Sequence, residues 1–92
     1  MELTTLNAEM QHLLGKYILG VSTRYQIGYW AAFQLKLHPS SFFEDSTYGQ
    51  LIEYVLGRMI DDDWIPEKEY IAEVGDLLKR LKNAESGKVE LL

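Results

Sequence analysis

Apolar residues recur every three or four positions along four stretches of this chain, and residues that end helices separate the stretches. That period is typical of a helix with one buried face, whereas a half-buried strand alternates every second residue. Gly20 and Pro39 follow the first two stretches, and Pro66 precedes the last, which are positions that these residues favour at helix ends and starts. The sequence therefore predicts an all-α domain, an antiparallel bundle of about four helices with short connections.

The pattern also predicts where each helix begins and ends. Asn7 is the expected N-cap of the first helix, because its side chain can accept a hydrogen bond from a free backbone N–H. Ser22 or Thr23 can cap the second helix, and Thr23 with Gln26 has the spacing of a capping box. Ser46 precedes the third helix, where Thr47 with Gln50 has the same spacing. The four helices are predicted at 7–19, 23–37, 47–60 and 66–82.

The second helix is apolar on nearly every side, so we expect it to be the most buried of the four. A homodimer interface that uses Tyr25, Tyr29 and Phe33 is the alternative interpretation. In the connection after this helix, Phe42 and Phe43 are expected to fold back onto the core. The representative core positions are Trp30, Leu56, Val74 and Leu78.

The composition limits what the domain can do. With 92 residues, 47 % of them hydrophobic, we expect one domain, 1–92, with one core, no large internal cavity and a flexible tail at 84–92. The absence of cysteine excludes disulfides and thiolate metal sites and favours a reducing cytoplasm. No apolar run approaches the ~20 residues that span a bilayer, and no signal peptide is visible.

The net charge of −5 is unevenly distributed. Residues 44–76 contain ten acidic and two basic residues, a net charge of −8, whereas residues 1–43 carry +1 and residues 77–92 carry +2. An acidic surface repels nucleic-acid phosphates and anionic membranes, so neither is expected as a direct partner. A basic protein is the complementary partner.

We hypothesise that this acidic segment forms a partner-binding surface. Helical spacing places Glu69, Glu73 and Asp76 on one face, opposite the apolar stripe of their helix. Trp64 adds a residue type enriched at interface hot spots, and a lid over the end of the bundle is the alternative role. A solvated face that only aids solubility is the alternative for the acids. The candidate site residues are Glu53, Asp61, Asp62, Asp63, Trp64, Glu67, Glu69, Glu73 and Asp76.

No residue pattern indicates catalysis. Neither a nucleophile elbow nor a phosphate-binding glycine-rich loop is present. Asp61, Asp63 and Glu67 offer oxygen ligands, but the turn glycine of a calcium loop is missing. His12 and His38 have no nearby carboxylate at helical ligand spacing. We therefore expect no enzyme, no cofactor and no metal site.

The order of these features resembles the colicin D immunity family and the related immunity proteins of contact-dependent inhibition systems. In that family a helix leads through a short turn into a second helix, as 13–37 does here through the turn at 20–22. A third helix, an acidic connection and a last helix with a Leu-rich end follow, as in 51–81, where 61–67 stands at the acidic connection. The resemblance implies a small bundle that blocks a tRNA-cleaving toxin, with acidic side chains in place of RNA phosphates.

The function expected from the sequence is therefore an immunity or inhibitor protein that neutralises a basic nuclease toxin. Two other classes stay open. One is a phage or mobile-element protein, or an adaptor, that binds a host protein. The other is a homo-oligomeric structural bundle assembled through the aromatic second helix.

Overall fold

A computed structural model describes residues 2–60 and 65–89, and within them the chain is helical with no strand. The all-α prediction is confirmed, and α1 packs chiefly on α5 while α2 packs chiefly on α4. None of the helices in this part of the chain is long and apolar enough to cross a membrane. The helices are α1 (Leu3–Ile18), α2 (Arg24–Leu37), α3 (Ser40–Glu44), α4 (Thr47–Met59) and α5 (Glu67–Glu85).

The helices share one core, to which α1, α2, α4 and α5 each contribute a stripe of apolar residues and α3 contributes Phe43. Leu56 and Val74 are fully buried, as predicted. Trp30 and Leu78 were expected there too, but both are half-buried and pack against the core from its edge. On α5 the centre of the stripe is formed by Tyr70, Val74, Leu77 and Leu81, which leaves Leu78 at the border of the buried face.

The first helix begins four residues earlier than predicted. Asn7 is not an N-cap: it lies inside α1, fully buried. Its Nδ2 donates to Tyr48 Oη at 2.7 Å and to the Leu81 carbonyl at 3.1 Å, and its Oδ1 accepts from Gln11 Nε2 at 2.9 Å. Burial without these partners would be costly, so the amide is stable there because α4 and α5 supply them.

The turn after α1 and the start of α2 follow the sequence prediction. Gly20 adopts a positive φ of 79°, which a residue with a Cβ rarely tolerates, and the chain reverses there. Thr23 caps α2 with both halves of the capping box, since its side chain accepts from the Gln26 N–H while its own N–H donates to Gln26 Oε1.

The expected burial of α2 is wrong. Only Ile27, Ala31 and Gln34 of this helix are buried. Tyr25, Tyr29 and Phe33, which follow one another at four-residue intervals, lie on the opposite face and are exposed. A helix that is apolar on every side can bury only the face that its neighbours cover, and in this chain α4 and α1 cover one face.

The connection after α2 was predicted as a loop but contains the short helix α3. Phe43 is buried and Phe42 is half-buried, so both fold back onto the core as predicted. Helix α3 lies tightly against α4 at Gly49, where a Cβ would come within 2.3 Å of the Phe43 carbonyl oxygen. Only glycine allows this approach of two backbones.

Helices α4 and α5 differ from the predictions at their ends. Ser46 caps α4 by accepting from the Gly49 N–H at 2.9 Å, so the predicted capping box of Thr47 and Gln50 is wrong. Helix α5 begins directly after Pro66 and continues to Glu85. Ala84 was expected to begin a tail, but it lies within α5 and is only 3 % exposed.

Candidate functional site

The acidic residues proposed as a site lie mostly on α5. Glu67, Glu69 and Asp76 are exposed there, Glu73 is half-buried, and Glu53 is half-buried on α4. The other proposed residues, Asp61, Asp62, Asp63 and Trp64, lie outside the described residues. The structure therefore places part of the acidic surface along one helix and describes no contact for the aspartate run.

Three of these acids already face an arginine of the same chain. Glu73 pairs with Arg58 of α4. Asp76 Oδ2 lies 3.1 Å from Arg80 Nε one turn further along α5. Glu67 Oε2 lies 3.3 Å from Arg24 Nη1 at the start of α2. Each pair reduces the local negative field, so the acidic surface is weaker than the charge of residues 44–76 suggests.

Glu67 also belongs to a cluster that joins three helices at one end of the molecule. The Tyr17 hydroxyl of α1 donates to Glu67 Oε1. The Arg24 guanidinium lies 4.3 Å from the centre of the Tyr70 ring, and the Tyr17 and Tyr70 rings meet edge to face at 5.3 Å. Glu67 therefore links α5 to α1 through Tyr17 and to α2 through Arg24.

The Tyr17 hydroxyl is held in its neutral form by this cluster. Burial raises the pKa of Tyr17, because ionisation would leave a phenolate with little water around it. The hydrogen bond to the Glu67 carboxylate and its negative charge raise the pKa further, and Arg24 opposes them. The phenol therefore stays protonated above the ordinary tyrosine pKa of 10, where a free tyrosine ionises, and serves as a donor there too.

A second candidate surface, which is apolar, lies on α2. Four large apolar side chains follow one another at intervals of four residues and form a ridge along the outer side of this helix. Their exposed fractions are 69 % for Tyr25, 82 % for Tyr29, 58 % for Phe33 and 56 % for Leu37. We call these four residues the aromatic row.

A groove of about 320 Å³ runs beside the aromatic row. Gly28 and Ala32 form its floor, Tyr25 and Tyr29 line one side, and Ile60 at the end of α4 lines the other. Among the residues that the structure describes, Arg24 and Lys36 are the charged ones that line it. The row and the groove together make an apolar surface with the relief that a second helix needs for packing.

The sequence analysis favoured the core for these residues and gave an interface through Tyr25, Tyr29 and Phe33 only as the alternative. The signal was present: a helix of 14 residues with apolar side chains on every face exceeds what a 92-residue chain can enclose. The strict four-residue interval of Tyr25, Tyr29, Phe33 and Leu37 marked the face that stays outside.

No family model matches the chain, and neither the curated proteins nor the solved structures contain a match to it. Among residues 2–60 and 65–89, no three His, Cys, Asp or Glu side chains form a group that could hold a metal ion. Among the described residues, the aromatic row is the longest run of exposed large apolar side chains on one helix.

Proposed function

We propose that this chain is a non-catalytic protein-binding module that holds another protein chain against the aromatic row of α2. The observation that carries the proposal is the exposure of this row, from 56 % at Leu37 to 82 % at Tyr29. Monomeric proteins seldom leave a contiguous apolar patch of more than a few hundred square ångströms in water. Aromatic residues are also enriched in the cores of protein interfaces.

The row has the size of the largest apolar patch on a typical monomer, about 300–600 Å², and such patches are often functional. Complete burial of an aromatic side chain removes roughly 150–250 Å² from water. At their exposed fractions, Tyr25, Tyr29 and Phe33 still offer roughly 300–500 Å². Covering that area contributes roughly 8–12 kcal/mol at about 25 cal/mol per Å². Association costs of roughly 4–15 kcal/mol oppose it, so we expect an interface of moderate affinity.

Site-specific photocrosslinking in the cell that makes the protein tests this proposal. Tyr29 is replaced by p-benzoylphenylalanine, which keeps an aromatic side chain at the most exposed position of the row. Irradiation should produce covalent adducts between the chain and another protein chain. The matched control places the same analogue at Lys82, which is exposed on α5 and belongs to no apolar patch.

We expect adducts at position 29 in several-fold excess over position 82. In the proposed function, another protein chain covers the aromatic row in the cell. Equal and low adduct yields at the two positions would show that water, and not protein, covers the row, and would refute the proposal.

A second candidate function is the inhibitor of a basic nuclease toxin, which the resemblance to the colicin D immunity family implies. The charge of −8 on residues 44–76 favours it, together with the exposure of Glu69 and Asp76. Such a protein would act in the cytoplasm, with acidic side chains bound to the Lys and Arg residues of the toxin cleft. Glu67, Glu73 and Asp76 already pair with arginines of the chain, and these pairs neutralise part of the negative charge that would attract a toxin.

Charge reversal tests this second candidate. The binding measured is that of the protein encoded by the neighbouring gene, taken as the trial toxin. Glu69→Lys should weaken binding several-fold, whereas Glu9→Lys on α1 should not, because steering depends on where the charge lies. Raising the salt from about 50 to about 500 mM shortens the Debye length roughly threefold and should weaken the complex. Equal effects of the two reversals, or binding indifferent to salt, would contradict an acidic inhibitory surface.

A further inference from the structure

Helix α2 carries two adjoining rows with the same four-residue interval. The aromatic row forms a ridge, and Gly28 and Ala32 form the floor of the groove beside it. Rows of residues four apart are the ridges and grooves along which two helices interlock. A helix with both features side by side offers a ridge to its partner and receives one from it.

We infer that the protein chain bound by α2 is a second copy of this chain, in a two-fold symmetric dimer. The inference rests on the proposed function, because it names the partner of the same surface. A two-fold axis requires each copy to contribute the same patch, so that every contact occurs twice. The ridge of each α2 then fills the Gly28–Ala32 groove of the other, near Tyr29 at the middle of the helix. In the dimer that we infer, the two α2 helices run in opposite directions, and packing of four-residue ridges inclines their axes by roughly 50°.

The charge distribution favours this approach of two copies. Two chains with a net charge of −5 repel each other, and the repulsion is strongest between their acidic segments. Helix α2 contains no acidic residue, and residues 1–43 carry a net charge of +1. Of the five described helices, α2 is the one without a carboxylate, so contact between two α2 helices brings no acidic residues of these helices together.

The two basic residues beside the groove do not oppose the contact. The Arg24 side chain is only 15 % exposed, and its guanidinium lies against Tyr70 and Glu67 of its own chain. Lys36 stands near the end of α2, so an antiparallel crossing at Tyr29 separates the two Lys36 residues by about 20 Å at 1.5 Å per residue. That distance exceeds the Debye length of about 8 Å at physiological salt.

The available area indicates how tight the dimer is. Stable interfaces bury about 800 Å² on each partner, and weak ones bury less than about 600 Å². The three rings of the row supply roughly 300–500 Å². Leu37 and Ile60, which are 56 % and 39 % exposed, extend the patch at its margins. We therefore expect a Kd on the order of micromolar, at the weaker end for a specific dimer.

Sedimentation equilibrium of the purified chain tests the inference. Over about 1 to about 200 µM, a range that brackets such a Kd, the mass should rise from 10.6 kDa to twice that value and stop there. Tyr29→Ala removes the central ring of the ridge. Ala32→Glu leaves every ring in place and puts a charge into the groove. Each should shift the midpoint at least tenfold to higher concentration, with an unchanged helical spectrum.

Ala72→Glu is the matched control, because it makes the same substitution on an exposed position of α5. It should leave the midpoint unchanged. A dimer equally sensitive to Ala72→Glu and Ala32→Glu, a dimer insensitive to both α2 variants, or a mass that climbs beyond two chains would contradict a closed α2 interface.

The two proposals fail in distinguishable ways. A chain that stays at 10.6 kDa over the whole range refutes self-association. If position 29 still crosslinks to another protein in the cell, the proposed function survives that result and the partner is a different chain. If position 29 gives no adduct above the control, both proposals fail.

Discussion

Gly49→Ala should destabilise the protein, although the same substitution elsewhere in a helix stabilises it. Alanine exceeds glycine in helix propensity by about 0.8–1.0 kcal/mol. At Gly49, however, the added Cβ would lie 2.3 Å from the Phe43 carbonyl oxygen and 2.9 Å from its carbonyl carbon. These are backbone atoms, so no side-chain rotation can relieve the contact.

The size of the effect follows from the distance that must be recovered. Ordinary contact begins at 3.4 Å, so α3 has to withdraw from α4 by about 1 Å. That movement pulls Phe43, which is 1 % exposed, out of its place in the core. Overpacking of this kind costs about 1–3 kcal/mol and exceeds the gain in helix propensity. We expect a net loss of up to about 2 kcal/mol. Each kcal/mol lost lowers the Tm by about 4–8 °C.

Urea unfolding followed by far-UV circular dichroism measures this change. The control is Gly75→Ala in the interior of α5, where an added Cβ meets nothing within 4 Å. It should raise the free energy of unfolding by about 0.8–1.0 kcal/mol. The reasoning is refuted if both substitutions stabilise the protein, because α3 and α4 could not then be in backbone contact at Gly49.

Three further predictions concern polar groups in the interior. Asn7→Ala should lower the free energy of unfolding by about 1–3 kcal/mol in urea titrations, because Tyr48 and the Leu81 carbonyl lose their donor; an unchanged midpoint would contradict this. Gln34→Met should raise it by about 1 kcal/mol, since the buried Gln34 Oε1 has no hydrogen-bond partner among the described residues; a loss of stability would show that the oxygen is satisfied. Tyr17→Phe should flatten the loss of stability above the ordinary tyrosine pKa of 10. The unfolded chain releases that proton while the folded chain, with its raised pKa, retains it, so the free energy of unfolding falls as pH rises. Unfolding of both proteins between about pH 8 and about pH 11 checks this, and parallel profiles would contradict it.

Helix ends could be predicted from the sequence where their cause is local. The Thr23 capping box and the reversal at Gly20 depend on residues within a few positions, and both occur as expected. Asn7 could not be assigned in this way. An asparagine favours an N-cap, but its amide is here satisfied by Leu81, which lies 74 positions away, and by Tyr48.

The orientation of α2 and the presence of α3 could not be predicted for a related reason. Periodicity identifies a buried face only when the other faces are polar, and α2 has apolar residues all round. Helix α3 has only five residues, which is too short to show a period, and it is held by the packing of Phe43 and the space at Gly49.

The electrostatics of the acidic residues could be predicted only in part. The pair of Asp76 and Arg80 has four-residue spacing within one helix and was accessible from the sequence. Arg24 and Glu67 are 43 positions apart, so their contact depends on how α2 and α5 meet. A charge count over residues 44–76 excluded both Arg24 and Arg80, and it therefore overstated the field at the surface.

The solvent accessibility of the Tyr29 ring in the purified protein shows whether a second copy covers α2. A soluble gadolinium chelate accelerates the relaxation of ring protons that water can reach. In a concentrated sample, we expect Tyr29 to be protected nearly as well as the buried Tyr17 and to become accessible on dilution. Relaxation that is equally fast at both concentrations, as for a side chain 82 % exposed in each, would contradict a dimer through α2.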